Sequence, residues 1–141
     1  MSAISASLLA VSACSEEPET VPALTEPVIH ELFRENFDGT IETDAAMIKN
    51  AWCAAGYRDL QKDLGVDSNA ALEQALTTSE PPKNAEILSI ENLRSEETQA
   101  RATVTSAQET PVGDGSYRRV EYHERVTFAY ERGRWRICRL E

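Results

Sequence analysis

Glu124 is the residue best placed in this sequence for acid–base chemistry. From Tyr117 onward, apolar and polar residues alternate as in a half-buried strand, and Glu124 falls on the apolar face with Val120, Tyr122, Val126, Phe128 and Tyr130. A carboxyl group inside an apolar pocket has a raised pKa and can serve as a general acid or base. The alternatives are a β-bulge near residues 123–125, or a pocket mouth where the carboxylate reaches solvent or pairs with an arginine.

Aromatic residues are the next candidates, because they could line a ligand pocket or simply fill the core. They are Trp52, Tyr57, Tyr122, Phe128 and Trp135. In an enzyme, Tyr122 or Tyr57 would donate a hydrogen bond while Glu124 acts as the base. His30 and His123 lack the close spacing of metal ligands, so no metal site is predicted. No phosphate-binding or nucleophile motif is found in the sequence, and no cofactor is expected.

The first residues have the composition of an export signal. Residues 1–13 are uncharged, small and apolar, and they are too few to span a bilayer. The step Val11-Ser12-Ala13-Cys14 resembles the lipobox of bacterial lipoproteins, which implies cleavage before Cys14 and acylation of its sulfur. No Lys or Arg precedes Arg34, so the charged start of such a signal is incomplete. The alternative is an apolar N-terminal helix that is retained and packed.

The lipobox resemblance implies a location as well as a modification. Residues 14–26 would be the lipidated cysteine and a disordered acidic tether, with four glutamates after Cys14 and few large apolar groups. The domain of residues 27–141 would then be anchored to a membrane of the cell envelope and face the periplasm. Ser15, rather than Asp, follows the cysteine, which in Gram-negative lipoproteins implies the outer membrane.

Charge argues against nucleic acid as a partner. The chain of 141 residues is long enough for one domain and has a formal net charge of −10. Residues 14–97 hold 18 acids against 6 bases, whereas residues 98–141 hold 6 acids against 8 bases. The arginines of the second part alternate with apolar residues on predicted strands, which is typical of a solvated sheet face rather than of a phosphate site.

Periodicity predicts an α+β fold in which three or four short helices precede a sheet. A helix starts near Pro27 and ends at Asp38-Gly39, and a second is capped by Thr43, interrupted at Gly56 and continued to Gly65. Ser68 caps the next helix. Strands follow at 86–90 and 100–105, and a long hairpin at 117–140 turns at Glu131-Arg132-Gly133-Arg134.

This order of elements resembles the nuclear-transport-factor-2-like (NTF2-like) cone fold. Residues 44–64, 98–105 and 126–140 carry the likeness, together with the closing Gly-x-Trp-Arg-Ile hairpin. The resemblance implies helices packed on a curved four-stranded antiparallel sheet. It also implies a range of roles, from ketosteroid-isomerase-like enzymes to binding and scaffold domains, so it does not decide the function.

In a cone of this kind the main helix lies across the sheet, which would bring Cys53 near Cys138 on the last strand. A disulfide between them is expected in an oxidising compartment, and two buried free thiols are the alternative. It would close a loop of some 86 residues.

Three functions are compatible with the sequence. The first is an exported lipoprotein, anchored through Cys14, whose domain binds a small apolar ligand or an envelope protein without catalysis. The second is a ketosteroid-isomerase-like pocket enzyme with Glu124 as general base. The third is a structural module that forms a homodimer through the outer sheet face.

Overall fold

The computed structural model describes residues 20–141, which form four helices followed by four strands. The helices are α1 (Glu26–Ile41), α2 (Ala45–Ala51), α3 (Ala54–Asp63) and α4 (Asn69–Thr77). The strands are β1 (Lys83–Glu96), β2 (Gln99–Pro111), β3 (Tyr117–Glu131) and β4 (Arg134–Leu140). They form one antiparallel sheet in the order β1-β2-β3-β4. The predicted α+β fold, with helices first and a four-stranded antiparallel sheet after them, is confirmed.

Helix α1 begins where the sequence predicted but ends later. Pro27 lies in its first turn, and its buried face carries Ile29 and Leu32. The helix runs through Asp38-Gly39 to Ile41, so the predicted end at Gly39 is wrong. A Cβ atom at Gly39 would lie 2.7 Å from Cγ1 of Ile48. This glycine therefore permits the close approach of α2 rather than ending α1.

The cap of α2 is Asp44 rather than the predicted Thr43. Thr43 has a left-handed backbone with φ of +50°, whereas Asp44 is extended and its carboxylate accepts a hydrogen bond from the Met47 amide at 3.1 Å. Ser68 caps α4 as predicted, with its hydroxyl 3.0 Å from the Ala71 amide nitrogen.

The break between α2 and α3 lies at Trp52 and Cys53, not at the predicted Gly56. Both residues are extended, and Trp52 forms an isolated parallel bridge with Ile137 of β4. The Cys53 amide donates to the Ile137 carbonyl at 2.7 Å. Gly56 lies inside α3, against strand β4. A Cβ at this position would lie 2.6 Å from the Cys138 carbonyl oxygen. The glycine lets α3 touch the backbone of β4.

Strands β1 and β2 are longer than the sequence predicted. The second half of β2 continues from Ser106 to Pro111, in register with β3 from Tyr122 back to Tyr117. These halves carry few buried side chains, so the hydrophobic alternation that marks a strand fades in them. Main-chain pairing alone extends the sheet here.

The β3–β4 turn was predicted correctly. Arg132 and Gly133 both have positive φ, +54° and +80°, as a two-residue hairpin turn of right-handed twist requires. Glycine takes this conformation without strain.

Strand β1 forms one edge of the sheet, and its pairing is irregular. Its register with β2 shifts three times, and Asn84 and Asn92 have positive φ. Charged side chains are exposed along it: Lys83, Glu86, Glu91, Arg94 and Glu96. Bulges and charges of this kind make an edge a poor template for a further strand.

The core lies between the helices and one half of the sheet. Small residues of β2 point inward as predicted, and the pairs Ala100 with Phe128 and Ala102 with Val126 share this face. They pack with buried apolar side chains of the helices, namely Ile29, Leu32, Ile48, Trp52, Tyr57 and Leu72.

The ordered domain begins before residue 27. Leu24 is only 3% exposed, and Val21 packs against the core. The Leu24 amide donates to the Ser95 hydroxyl at 3.0 Å, and the Trp135 indole donates to the Pro22 carbonyl at 2.8 Å. The prediction of a disordered tether up to residue 26 is therefore wrong for its last residues. Cys14 and the predicted signal at 1–13 lie outside the described residues.

Not every arginine of the sheet is solvated, as the sequence had suggested. Arg136 is 5% exposed and donates to three backbone carbonyls: those of Asn50, Glu131 and Arg132. Burial, followed by the positive charges of Arg132 and Arg134, lowers its pKa. Arg134 pairs with Glu35 of α1 at 2.5 Å. These two side chains join the hairpin turn to the helices.

The expected disulfide between Cys53 and Cys138 is present. The two Cα atoms are 5.1 Å apart, and the bond links residues 85 positions apart in sequence. Cys53 is 1% exposed, so the bond lies within the contact between the α2–α3 break and β4. Because it closes a long loop, it restricts the unfolded chain strongly.

Removing this bond should destabilise the domain without changing its fold. We expect the Cys53→Ala/Cys138→Ala variant to lose about 3 kcal/mol of unfolding free energy, measured by urea denaturation. Thiol reduction of the wild-type chain should give a similar loss, and the same reductant should leave the double variant unchanged. Free Cys53 and Cys138 thiols in the oxidised protein would contradict the assignment.

Candidate functional site

A cavity of about 790 Å³ opens between α1 and the sheet. This volume is within the range of small-molecule sites, roughly 300–1,000 Å³. Helix α1 contributes a face with helical spacing, which includes Pro27, His30, Glu31, Arg34, Phe37 and Asp38. This face adjoins the stripe that α1 buries in the core, so one helix serves both.

The opposite wall of the cavity is the half of the sheet that lies away from the β1–β2 and β3–β4 turns. Lining residues come from all four strands: Asn84, Ala85, Glu86, Ile87, Ser106, Ala107, Gln108, Tyr122, Glu124, Ile137 and Leu140. The strand register explains why these residues lie together. Ser106 pairs with Tyr122 two residues beyond the pair of Val104 and Glu124, on the same face of the sheet. The helices fill the turn half of the sheet and leave this half open.

Glu124 lies on the apolar side of β3, as predicted. Its cross-strand neighbour Val104 is 2% exposed and Val126, two residues along, is fully buried. Among the described residues its carboxyl group has no hydrogen-bond or ion-pair partner, and burial raises its pKa. The carboxyl group is thus partly desolvated on an apolar floor and open to the cavity.

The structure bears on both alternatives that the sequence left open for Glu124. Pairing of β2 with β3 continues without a register shift through residues 123–125, so the bulge alternative is wrong. The register shift in β3 lies on the β4 side, between Thr127 and Phe128. Glu124 instead lines the cavity, and no described arginine pairs with its carboxylate.

The other charged groups of the cavity are mostly paired. Glu31 lies 3.1 Å from Arg34, and Glu86 lies 2.9 Å from Arg119 on the outer side of the sheet. Asp38 also lines the cavity and, like Glu124, has no ion-pair partner among the described residues. The cavity is therefore negatively charged on balance.

The predicted aromatic lining is dispersed in the structure. Tyr122 lines the cavity and is 38% exposed. Phe128 is buried and borders a second depression of about 770 Å³ beside the β1–β2 turn. Phe33 and Phe37 of α1 supply the further aromatic rings of the first cavity.

The remaining three aromatic residues belong to the core. Trp52, Tyr57 and Trp135 are buried, and each polar atom has a partner. The Trp52 indole donates to Asn36 at 2.7 Å, and the Tyr57 hydroxyl donates to Asn69 at 2.6 Å. Tyr57 therefore does not face Glu124, and burial raises its pKa.

One group of possible metal ligands occurs among residues 20–141. Atoms of Cys53, Cys138 and Glu131 lie within 4.8 Å of one another. The two sulfurs are bonded to each other, so neither is the thiolate that binds a metal. The Glu131 carboxylate accepts from the Ala54 amide at 3.0 Å. This cluster fixes the start of α3 to the hairpin turn.

Sequence reasoning found Glu124 and Tyr122 but missed most of the cavity. The missed residues include Phe37 and Asp38 of α1, Ser106 of β2 and Leu140 of β4. The sequence signal that could have indicated the cavity was the polar second half of β2. Its continued pairing with β3 places Ser106 beside Tyr122.

None of the helices between residues 20 and 141 has the length and apolar character needed to cross a bilayer.

Several solved structures resemble this chain closely enough to identify its fold. One is a putative calcium/calmodulin dependent protein kinase II association domain from Xanthomonas campestris, with a TM-score of 0.57 and 12% identity over 89% of this chain and 95% of that one. Another is an NTF2-like protein with a cystatin-like fold from Novosphingobium aromaticivorans, with a TM-score of 0.53 and 17% identity over 82% and 78%.

A third similar structure is a putative dehydratase of the NTF2-like family from Streptomyces avermitilis. Its TM-score is 0.54, at 11% identity over 79% of this chain and 89% of that one. No protein-family model matches the sequence, and no curated protein matches it. The chain therefore has an NTF2-like fold, which the sequence resemblance had indicated.

The raised pKa of Glu124 leads to a prediction about how the free energy of unfolding depends on pH. A carboxyl group with a raised pKa in the folded state favours folding when protonated and opposes it when ionised. Glu124→Gln should therefore be more stable than wild type at pH 7, by less than about 1 kcal/mol because the open cavity screens the charge. The gain should vanish below the ordinary carboxyl pKa of 4.5. Urea denaturation at both pH values measures it.

Glu121→Gln is the matched control, since Glu121 lies on the opposite, exposed face of the same strand. Its stability should differ little from wild type at either pH. A Glu124→Gln variant that is less stable than wild type at pH 7 would show that the carboxylate has a stabilising partner.

Proposed function

We propose that this protein binds a small ligand with an apolar body in the cavity between α1 and the sheet, within a domain anchored to the cell envelope through a lipidated Cys14. The observation that carries the binding proposal is the cavity itself. Apolar side chains from opposite sides converge on it, namely Phe33, Phe37, Ile87, Tyr122, Ile137 and Leu140. Apolar walls with a few polar groups are typical of ligand sites.

Binding accounts for the geometry better than catalysis does. The enzyme alternative pairs Glu124 with a tyrosine that donates a hydrogen bond. Tyr57 is bonded to Asn69 in the core, and no hydrogen bond joins Tyr122 to Glu124 among the described residues. General acid–base catalysis needs such groups to converge on one reacting atom. Glu124 shares the cavity with other polar side chains, such as those of His30, Asp38 and Ser106, but none of them is hydrogen-bonded to its carboxyl group.

The similar structures do not favour one function. One of these proteins is described as a putative dehydratase and another as an association domain, so the same fold serves catalysis and assembly. At these identities the likeness concerns the fold alone. The function must therefore be argued from the site of this chain.

A dimer through the outer sheet face has weaker support. This face carries charged and polar side chains, including Glu121, His123 and Arg125, all exposed. The Thr105 hydroxyl and the His123 ring already form a hydrogen bond there, at 3.1 Å. Homodimers usually bury apolar surface, and these groups would have to lose water.

The anchor is supported by the lipobox resemblance around Cys14 and by the disulfide, which is typical of an oxidising compartment. We place the domain at the periplasmic side of the envelope, with Ser15 favouring the outer membrane. Residues 21–24 pack on the domain, so the linker from Cys14 would be short.

The cavity should bind a simple apolar probe. We expect 1-octanol to shift the amide resonances of Ile87, Ala107 and Tyr122 in a saturable way, followed by two-dimensional NMR. Ser106→Phe should weaken this binding, because Ser106 lines the cavity and the larger ring would occupy the space beside Tyr122.

Thr105→Phe provides the matched control, because Thr105 is adjacent but belongs to the outer face with His123. It should leave the cavity shifts unchanged. Shifts confined to the outer face, or insensitive to Ser106→Phe, would contradict the proposed site.

The anchor makes its own prediction. The protein from the membrane fraction should begin at Cys14 and carry acyl chains on it, as measured by intact mass. Cys14→Ser should release the domain into the soluble fraction while the Cys53–Cys138 bond stays intact. A membrane-bound Cys14→Ser protein, or a mature chain that retains Met1, would contradict the anchor.

A further inference from the structure

We infer that the ligand of this cavity is an amphipathic amine: a hydrocarbon body of moderate size with one protonated nitrogen, which forms an ion pair with the Glu124 carboxylate. This inference rests on the proposed binding function and names the chemistry of its ligand. Three features of the cavity lead to it: an unpartnered carboxyl group, an excess of negative charge and aromatic walls.

The unpartnered carboxyl group is the first feature. Glu124 stands on a floor formed by Val104 and Val126, which are 2% and 0% exposed. No described arginine, lysine or backbone amide reaches it, whereas another partly buried carboxylate, that of Glu35, pairs with Arg134 at 2.5 Å. A partly desolvated carboxylate gains most from a charged donor, because charge-assisted hydrogen bonds are the strong ones. A protonated amine supplies both the charge and the donor.

The charge of the cavity is the second feature. Its ionisable lining comprises four carboxylates, those of Glu31, Asp38, Glu86 and Glu124, with one arginine, Arg34, and one histidine, His30. Arg34 is already paired with Glu31, and Glu86 with Arg119. Asp38 and Glu124 therefore leave the interior negative, in a chain whose net charge is −10. An anionic ligand such as a fatty acid would be repelled, and a cation would be attracted.

The aromatic walls are the third feature. Phe33 and Phe37 of α1 and Tyr122 of β3 line the same cavity. Aromatic faces attract cations and also accommodate alkyl groups. Leu140 of β4 and Ile87 of β1 offer an aliphatic surface for the body of the ligand. The cavity thus provides an apolar wall for the hydrocarbon and a carboxylate for the nitrogen.

A matched series of eight-carbon probes tests this inference: 1-octylamine, 1-octanol and octanoate. Calorimetry and NMR would use the full-length Cys14→Ser protein with its disulfide formed. We expect octylamine to bind roughly tenfold more tightly than octanol, which is the size of one charge-assisted hydrogen bond, and octanoate to bind most weakly. Glu124→Gln should bind octylamine and octanol equally, whereas Glu121→Gln should keep the preference.

A second measurement varies the pH, in a cavity whose other carboxylates and histidine are Glu31, Asp38, Glu86 and His30. The preference of the wild-type protein for octylamine over octanol should fall as the pH is lowered through the titration of Glu124, while octanol binding stays constant. Asp38→Asn should retain most of the preference. A preference that survives Glu124→Gln and is lost in Asp38→Asn would overturn the assignment to Glu124.

The outcomes separate the two proposals. Equal binding of octylamine and octanol by the wild-type cavity would overturn the amine inference and leave the binding function standing. Tighter binding of octanoate than of octylamine would overturn it as well. Failure of all three probes to shift the cavity amides would overturn the proposed binding function and the inference together.

Discussion

The contact between the α2–α3 break and strand β4 is the constraint on which the rest of the domain depends. Trp52 pairs with Ile137 by a backbone bridge, and the Cys53–Cys138 bond makes the contact covalent. Gly56 allows α3 to approach the Cys138 carbonyl, which a side chain would block. The guanidinium of Arg136 satisfies carbonyls from both sides of the contact. A buried charge is favourable only when its hydrogen bonds are complete, as they are here.

This contact also determines where the domain is filled and where it is open. It holds the helices over the turn half of the sheet, where Ala102 and Phe128 are buried in the shared core. The other half of the sheet receives only one face of α1, and the cavity is the space that remains. Glu124 lies at the boundary of the two halves, next to the buried Val126 and facing the cavity. Its partial burial is thus a consequence of how far the helices reach.

The sequence predicted those parts of the fold that are fixed by local chemistry. The cap at Ser68, the turn at Arg132-Gly133 and the inward face of β3 follow from side-chain type and alternation, and the disulfide followed from the fold resemblance. The errors at Gly39 and Gly56 have one cause. Both glycines were read as helix breaks, but each instead permits a close contact between elements distant in sequence. The cavity was missed for a related reason, because its walls come from five elements and only tertiary packing brings them together.

The irregular edge strand β1 affects how neighbouring copies of this protein interact. A lipid-anchored domain would be confined to two dimensions, where neighbours meet far more often than in dilute solution. A regular free edge would invite two sheets to join through their main chains, and such unions can grow into fibres. The register of β1 is shifted and its charged side chains are exposed. A second strand therefore does not find a regular row of backbone N–H and C=O groups to pair with. At this edge of the sheet, the strand should therefore oppose the joining of neighbouring sheets.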